Sequence, residues 1–84
     1  MSRRQLMAVA AILVVAACAP RLQGYRSELA ATQDCKGDQV VWVNTERSSG
    51  IYHLRGSRYY VSTSYGVFAC RSEAEKFGYQ RARG

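Results

Sequence analysis

The 84-residue chain is poor in the residues that mark most chemistries: one histidine, one proline, one tryptophan and three cysteines. There is no C-x-x-C pair and no H-x-x-x-H pair, so the usual zinc knuckles are excluded. Only Cys35, His53 and Cys70 remain as scattered metal ligands. No glycine-rich phosphate loop is present, and no apolar stretch approaches the roughly 20 residues needed to span a bilayer. Acidic residues are scarce, 6 against 12 Lys plus Arg, for a net charge of +6. No pairing of nucleophile, base and orienting group stands out, and the expectation is a protein that is not an enzyme and carries no cofactor.

What is present begins at the N-terminus. Ser2-Arg3-Arg4-Gln5 is a short basic lead, and Leu6 to Ala17 is an unbroken apolar run with no polar face. That is the plan of a secretory signal peptide over residues 1–17. Cleavage after Ala17-Cys18-Ala19 has the small-x-small form, but it would leave Pro20 first in the mature chain, a poor fit to a protease that needs extended backbone there. Val15-Ala16-Ala17-Cys18 resembles a bacterial lipobox, which assigns Cys18 as the lipidated residue. Ala19 after that cysteine is compatible with the outer membrane if the source is a diderm bacterium. Arg3-Arg4 also resembles a twin-arginine export signal, so the general and twin-arginine routes both stay open. The expected location is exported and lipid-anchored in the cell envelope.

Removing Arg3 and Arg4 with the signal leaves 10 Lys plus Arg against 6 Asp plus Glu, a net +4 carried by residues 35–84. A basic domain near an envelope surface meets anionic headgroups, envelope polymers or nucleic acid. With Cys18 lipidated, Cys35 and Cys70 are left as a pair in an oxidising compartment, and a disulfide between them is expected. About fifty residues make a marginal core, so a staple is needed. The alternatives are free thiols, with Cys70 as a nucleophile beside His53.

Residues 18–34 read as a tether, with Ser27 capping a turn of helix over 27–31. Val40-Val41-Trp42-Val43 is a β-branched and aromatic strand. Ile51 to Leu54, Arg58 to Ser62 and Val67 to Ala69 follow as short strands separated by brief turns, which favours antiparallel neighbours. Ser72-x-x-Glu75 has the form of a capping box. A helix of about two turns should rest Ala74 and Phe77 on the sheet and stop at Gly78. The fold class is therefore α+β: a signal helix, then a disulfide-stapled module over 35–84 with three to four antiparallel strands and one short C-terminal helix.

Val41-Trp42-Val43-Asn44-Thr45, Ser49-Gly50-Ile51-Tyr52-His53, Gly56, Arg58-Tyr59-Tyr60, Phe68, Glu73-Ala74-Glu75 and Gly78-Tyr79 together resemble the sunset domain of small secreted bacterial proteins. The likeness to the metal-binding domain of the Ada repair protein is more distant. The resemblance covers residues 38–83 and implies fold and compartment more than activity. Arg55, Ser62 and Ser64 stand where relatives have Pro, Gly and Lys, which loosens two turns and weakens any inference of polyanion binding. The distant relative's four-cysteine metal site has no counterpart here.

Strand alternation places Tyr52 and Leu54 on one face and Ile51 and His53 on the other. Trp42, Phe68, Phe77 and part of the tyrosine set are the expected core. His53, Arg55, Arg58 and Tyr60, with Tyr65 beside them, are the outward remainder and the candidate ligand-binding residues, because arginines beside aromatics stack on rings and pair with phosphate. The expected role is a non-enzymatic structural or interaction module, held to the membrane through its N-terminal lipid and meeting an envelope polymer or a protein partner. The alternative is a basic accessory module that binds nucleic acid or another anionic polymer.

Overall fold

The computed structural model describes residues 20–83. The signal segment and Cys18 lie outside the described residues. In chain order the elements are helix α1 (Glu28–Cys35), strands β1 (Val40–Asn44), β2 (Ile51–Leu54) and β3 (Gly66–Cys70), helix α2 (Arg71–Lys76) and strand β4 (Gln80–Arg81). The strands form one sheet in the order β3-β1-β2-β4.

β1 is central because all four of Val40-Val41-Trp42-Val43 are buried, and a strand covered on both faces needs a continuous apolar run. It pairs antiparallel with β2, Trp42 opposite His53, and with β3, Trp42 opposite Phe68. One face carries Val40, Trp42 and Phe68 and is covered by Ala31 and Cys35 of α1, with Tyr25 and Tyr60 half-buried around them. Trp42 meets Phe68 edge-on, with ring centroids 5.0 Å apart, the arrangement that ring quadrupoles favour. The other face carries Val41, Val43, Tyr52 and Ala69 and is covered by Ala74 of α2, with Leu22, Leu54, Val67 and Tyr79 at its margin. Cys35 and Cys70 are bonded, with their Cα atoms 5.4 Å apart. The bond ties the end of α1 to the junction between β3 and α2.

The sheet is mixed rather than wholly antiparallel. β4 runs parallel to β2, pairing Ile51 with Gln80 and Tyr52 with Arg81. The cause is α2: a helix after β3 carries the chain back along the sheet, so the next strand starts in the direction β3 started. Gly78, at φ +89°, turns the chain out of this helix.

Three further expectations are corrected. Residues 20–34 are not a tether. Ser27 does cap a helix, its Oγ accepting from the Ala30 N–H at 3.1 Å, but α1 continues for 8 residues to Cys35 and packs on the sheet. Before it, Tyr25 exchanges backbone hydrogen bonds of 2.7 and 3.0 Å with Phe68, which covers the open edge of β3. The folded unit thus begins near Leu22 and contains two helices. Arg58 to Ser62 is a series of turns, not a strand. Ser57, Tyr60 and Ser62 each donate from the backbone to the carbonyl three residues back, and Val61 has φ +62°, a left-handed conformation that ends extended structure and is unfavourable for a β-branched residue. These turns let Tyr60 fold over Phe68, ring centroids 5.9 Å apart. The capping box does not form either. Cys70 occupies the cap position of α2 and makes no side-chain cap bond. Asp38 takes over instead, accepting from the Ser72 N–H at 3.1 Å and from the Ser72 hydroxyl at 2.5 Å.

Candidate functional site

The four ligand-binding candidates all lie on β2 or on the turns that follow it, and the fold uses each differently. His53 is on β2 opposite Trp42, and it points inward: only 5% of it is exposed. Its Nε2 has no hydrogen-bond partner. Burial pushes its pKa below the usual 6.5, since an imidazolium there would lose its hydration. The His53 ring lies 5.8 Å from that of Tyr59. A cavity of about 30 Å³ beside it is lined by Leu54, Ser57, Arg81 and Ala82.

Arg55 forms an ion pair with Glu28 of α1. Tyr60 donates its hydroxyl to Glu28 Oε1 at 3.1 Å, so one carboxylate ties the turn segment to the helix. Burial raises the Tyr60 pKa, opposed by the adjacent Arg55 guanidinium and reinforced by Glu28. Arg55 is held more firmly protonated by its bonds to Tyr60 and Glu28. Both residues are therefore already engaged. Arg58 differs: it is exposed, its guanidinium lies 5.5 Å from the centre of the Tyr59 ring, and Tyr59 is itself 48% exposed. Among the described residues Arg58 is in no ion pair, so the pair offers a cation beside a half-exposed ring, suited to an anionic or planar group.

A second polar cluster spans the opposite face of the sheet. The buried Tyr52 hydroxyl donates to Glu75 Oε2 at 2.6 Å and accepts from Arg71 Nε at 3.1 Å. The Tyr52 hydrogen bond, with help from Arg71, holds the Glu75 carboxyl below the usual carboxylate range. Arg71 also reaches Gln39 Oε1 at 2.9 Å. Asp38 is held low first by the Ser72 hydroxyl. This cluster pins α2 to the sheet. Sequence reasoning reserved Glu75 for a capping box and left Arg71 unassigned; the signal for the cluster was Arg71 and Glu75 four apart on one helix face.

Glu28 and Tyr59 are the site residues that sequence reasoning missed. Glu28 follows the capping Ser27 and is an acid in the first turn of α1, but nothing in its spacing from Arg55 signals that the two pair. A groove of about 350 Å³ lies between the β1–β2 turn and the end of α2, with Glu46, Arg47, Phe77 and Tyr79 in its walls; none of the candidates lines it. The disulfide takes both thiolates that a zinc site or a Cys70 nucleophile would need. No family model matches this chain, and neither a curated protein nor a solved structure does.

Proposed function

We propose that this chain is an exported, lipid-anchored cell-envelope protein whose small module works by contact rather than by turnover. The observation that carries this reading is the Cys35–Cys70 disulfide. A stapled fold of this size is what an oxidising compartment permits and a marginal core requires. The basic lead, apolar run and Val15-Ala16-Ala17-Cys18 pattern support export and lipidation at Cys18. The commitment of reactive side chains to structure supports contact: His53 is buried, and Glu28, Asp38 and Glu75 all hold one element to another. The sunset-like residue pattern is consistent with a secreted module of this kind.

The test is a globomycin-type block of lipoprotein processing in cells making the chain. Accumulation of the unprocessed precursor supports the reading, as does acyl mass on Cys18 in the mature protein. Unchanged maturation sinks it. A second reading, a module that binds nucleic acid or another anionic polymer, is favoured by the exposed Arg58–Tyr59 pair. It requires binding that weakens steeply with salt.

A further inference from the structure

The ladder between β2 and β4 stops one rung early. The Gln80 N–H donates to the Gly50 carbonyl and the Ala82 N–H to the Tyr52 carbonyl, both at 2.9 Å. In a parallel ladder the bonds are evenly spaced, so the next rung would run from the Leu54 N–H to the Ala82 carbonyl. Among the described residues that bond does not form. Backbone groups alternate in direction along a strand, so Leu54 faces β4 on the same edge of β2 as Tyr52. The Leu54 carbonyl is already closed off: it accepts from the Ser57 N–H at 3.0 Å and from the Ser57 hydroxyl at 2.7 Å. The Leu54 N–H and the Ala82 carbonyl are left facing each other across a gap. The cavity of about 30 Å³ lies at this gap, lined by His53, Leu54, Ser57, Arg81 and Ala82. His53 brings a third unanswered group. It is 5% exposed, and its buried Nε2 has no hydrogen-bond partner. Buried polar groups left unpaired are costly, and folded proteins rarely tolerate them.

The chemistry of the three groups selects the occupant. The Leu54 N–H needs an acceptor, which excludes a bare cation. The Ala82 carbonyl needs a donor, which excludes a simple anion. His53 Nε2 needs one or the other, according to which ring nitrogen carries the proton. Water answers all three, because it both donates and accepts. The cavity exceeds the roughly 10–15 Å³ that admits a water and falls far short of the ~300 Å³ of the smallest small-molecule pockets. Among the described residues no three His, Cys, Asp or Glu side chains converge to hold a metal ion. We propose that one ordered water is built into this gap, accepting from the Leu54 N–H and donating to the Ala82 carbonyl, with His53 Nε2 as its third partner. Three partners are the usual number for a buried water. The water adds a rung to β4, which is itself 2 residues long, and links the buried imidazole to the C-terminal strand. A single held water does not restore the hydration that an imidazolium has in bulk solvent. The site needs neither export nor lipid.

The experiment is nuclear magnetic resonance of the oxidised mature chain, labelled with nitrogen and carbon isotopes. Couplings carried through hydrogen bonds should join the Ala82 N–H to the Tyr52 carbonyl and should be absent between the Leu54 N–H and the Ala82 carbonyl. The Leu54 N–H should show a cross-relaxation peak with a long-lived water, and the carbon-bound ring protons of His53 should show one with the same water. His53→Leu removes one partner and should abolish the Leu54 peak. Ser57→Ala should keep it, which excludes a signal relayed through the serine hydroxyl. A coupling between the Leu54 N–H and the Ala82 carbonyl overturns the proposal, because the ladder then closes directly. A parent Leu54 N–H without a water peak overturns it too, as does loss of the peak in Ser57→Ala. A folded His53→Leu that keeps the peak also overturns it, since the imidazole is then no partner. Should His53→Leu fail to fold, the parent's ring-proton peaks decide the same point.

Discussion

Gly66 lies directly beneath the indole of Trp42. A Cβ built on Gly66 would stand 2.2 Å from Trp42 Cζ2 and 2.3 Å from Cε2, well inside van der Waals contact. The indole has little freedom to retreat. Its Nε1 donates to Thr63 Oγ1 at 2.7 Å, and the Thr63 hydroxyl in turn donates to the Tyr65 carbonyl at 2.8 Å. Phe68 closes the other side.

Gly66→Ala should therefore destabilise the module by overpacking, by about 1–3 kcal/mol. In a domain of this size each kilocalorie corresponds to roughly 4–8 °C in Tm. Thermal unfolding followed by tryptophan fluorescence measures it. A Tm equal to that of the parent would show that the indole shifts freely and that the Thr63 bond does not hold it.

The disulfide gives the second prediction. It closes a loop with a sequence separation of 35 residues, for which the chain-entropy relation gives about 4 kcal/mol. That is a large share of the stability of a small domain. Cys35→Ser with Cys70→Ser should leave the module largely unfolded near 37 °C, read by far-ultraviolet circular dichroism. The oxidised parent should show no free thiol from this pair in a thiol count. A folded double variant with an unchanged Tm would refute the staple's role.

These two relationships differ in how far the sequence foretells them. The Cys35–Cys70 pair follows from counting cysteines and assigning a compartment, and β1 follows from four consecutive β-branched and aromatic residues. Of α1 the Ser27 cap and a first turn were legible, but its extension to Cys35 was not, because its buried face is only Ala31 and Cys35, two small residues that make no apolar stripe. β4 is 2 residues long, too short for any periodicity. Arg58 to Ser62 has strand composition, yet tertiary packing overrides it: Tyr60 must turn back to cover Phe68, and Val61 accepts a left-handed backbone to allow this. At His53 the alternation was correct but the conclusion was not. With helices and turns on both faces, the face opposite Tyr52 is also an interior.

The Tyr60–Glu28–Arg55 junction predicts an asymmetry. The ion pair is exposed on both sides and should contribute little, so Arg55→Gln should lower Tm less than Gly66→Ala does. Tyr60 covers Phe68 with its ring, so Tyr60→Ala should cost about 2 kcal/mol through lost packing. Tyr60→Phe, losing only the hydroxyl bond, should cost about 1 kcal/mol or less. Urea unfolding of the three variants ranks them. Should Arg55→Gln prove the most damaging, the turns are held by charge and not by the aromatic lid.

His53 sets a pH dependence whose sign follows from its burial. The folded state lowers its pKa from 6.5, so below that value the unfolded chain takes up the proton more readily than the folded one. Stability from this group is then fully present above about pH 6.5 and declines as pH falls toward the lowered folded value. Asp38 and Glu75, whose pKa values are also lowered by their partners, add a separate loss at more acidic pH, through the carboxylate range. His53→Gln removes the upper step and leaves the lower one, because glutamine does not titrate. Urea midpoints measured from pH 8 to pH 4 should fall in two stages for the parent and in one for the variant. A parent whose midpoint stays flat between pH 7 and pH 5.5 would mean that the folded module accepts the imidazolium, which requires the unpartnered Nε2 to reach water or an acceptor through the small cavity beside Ser57 and Arg81.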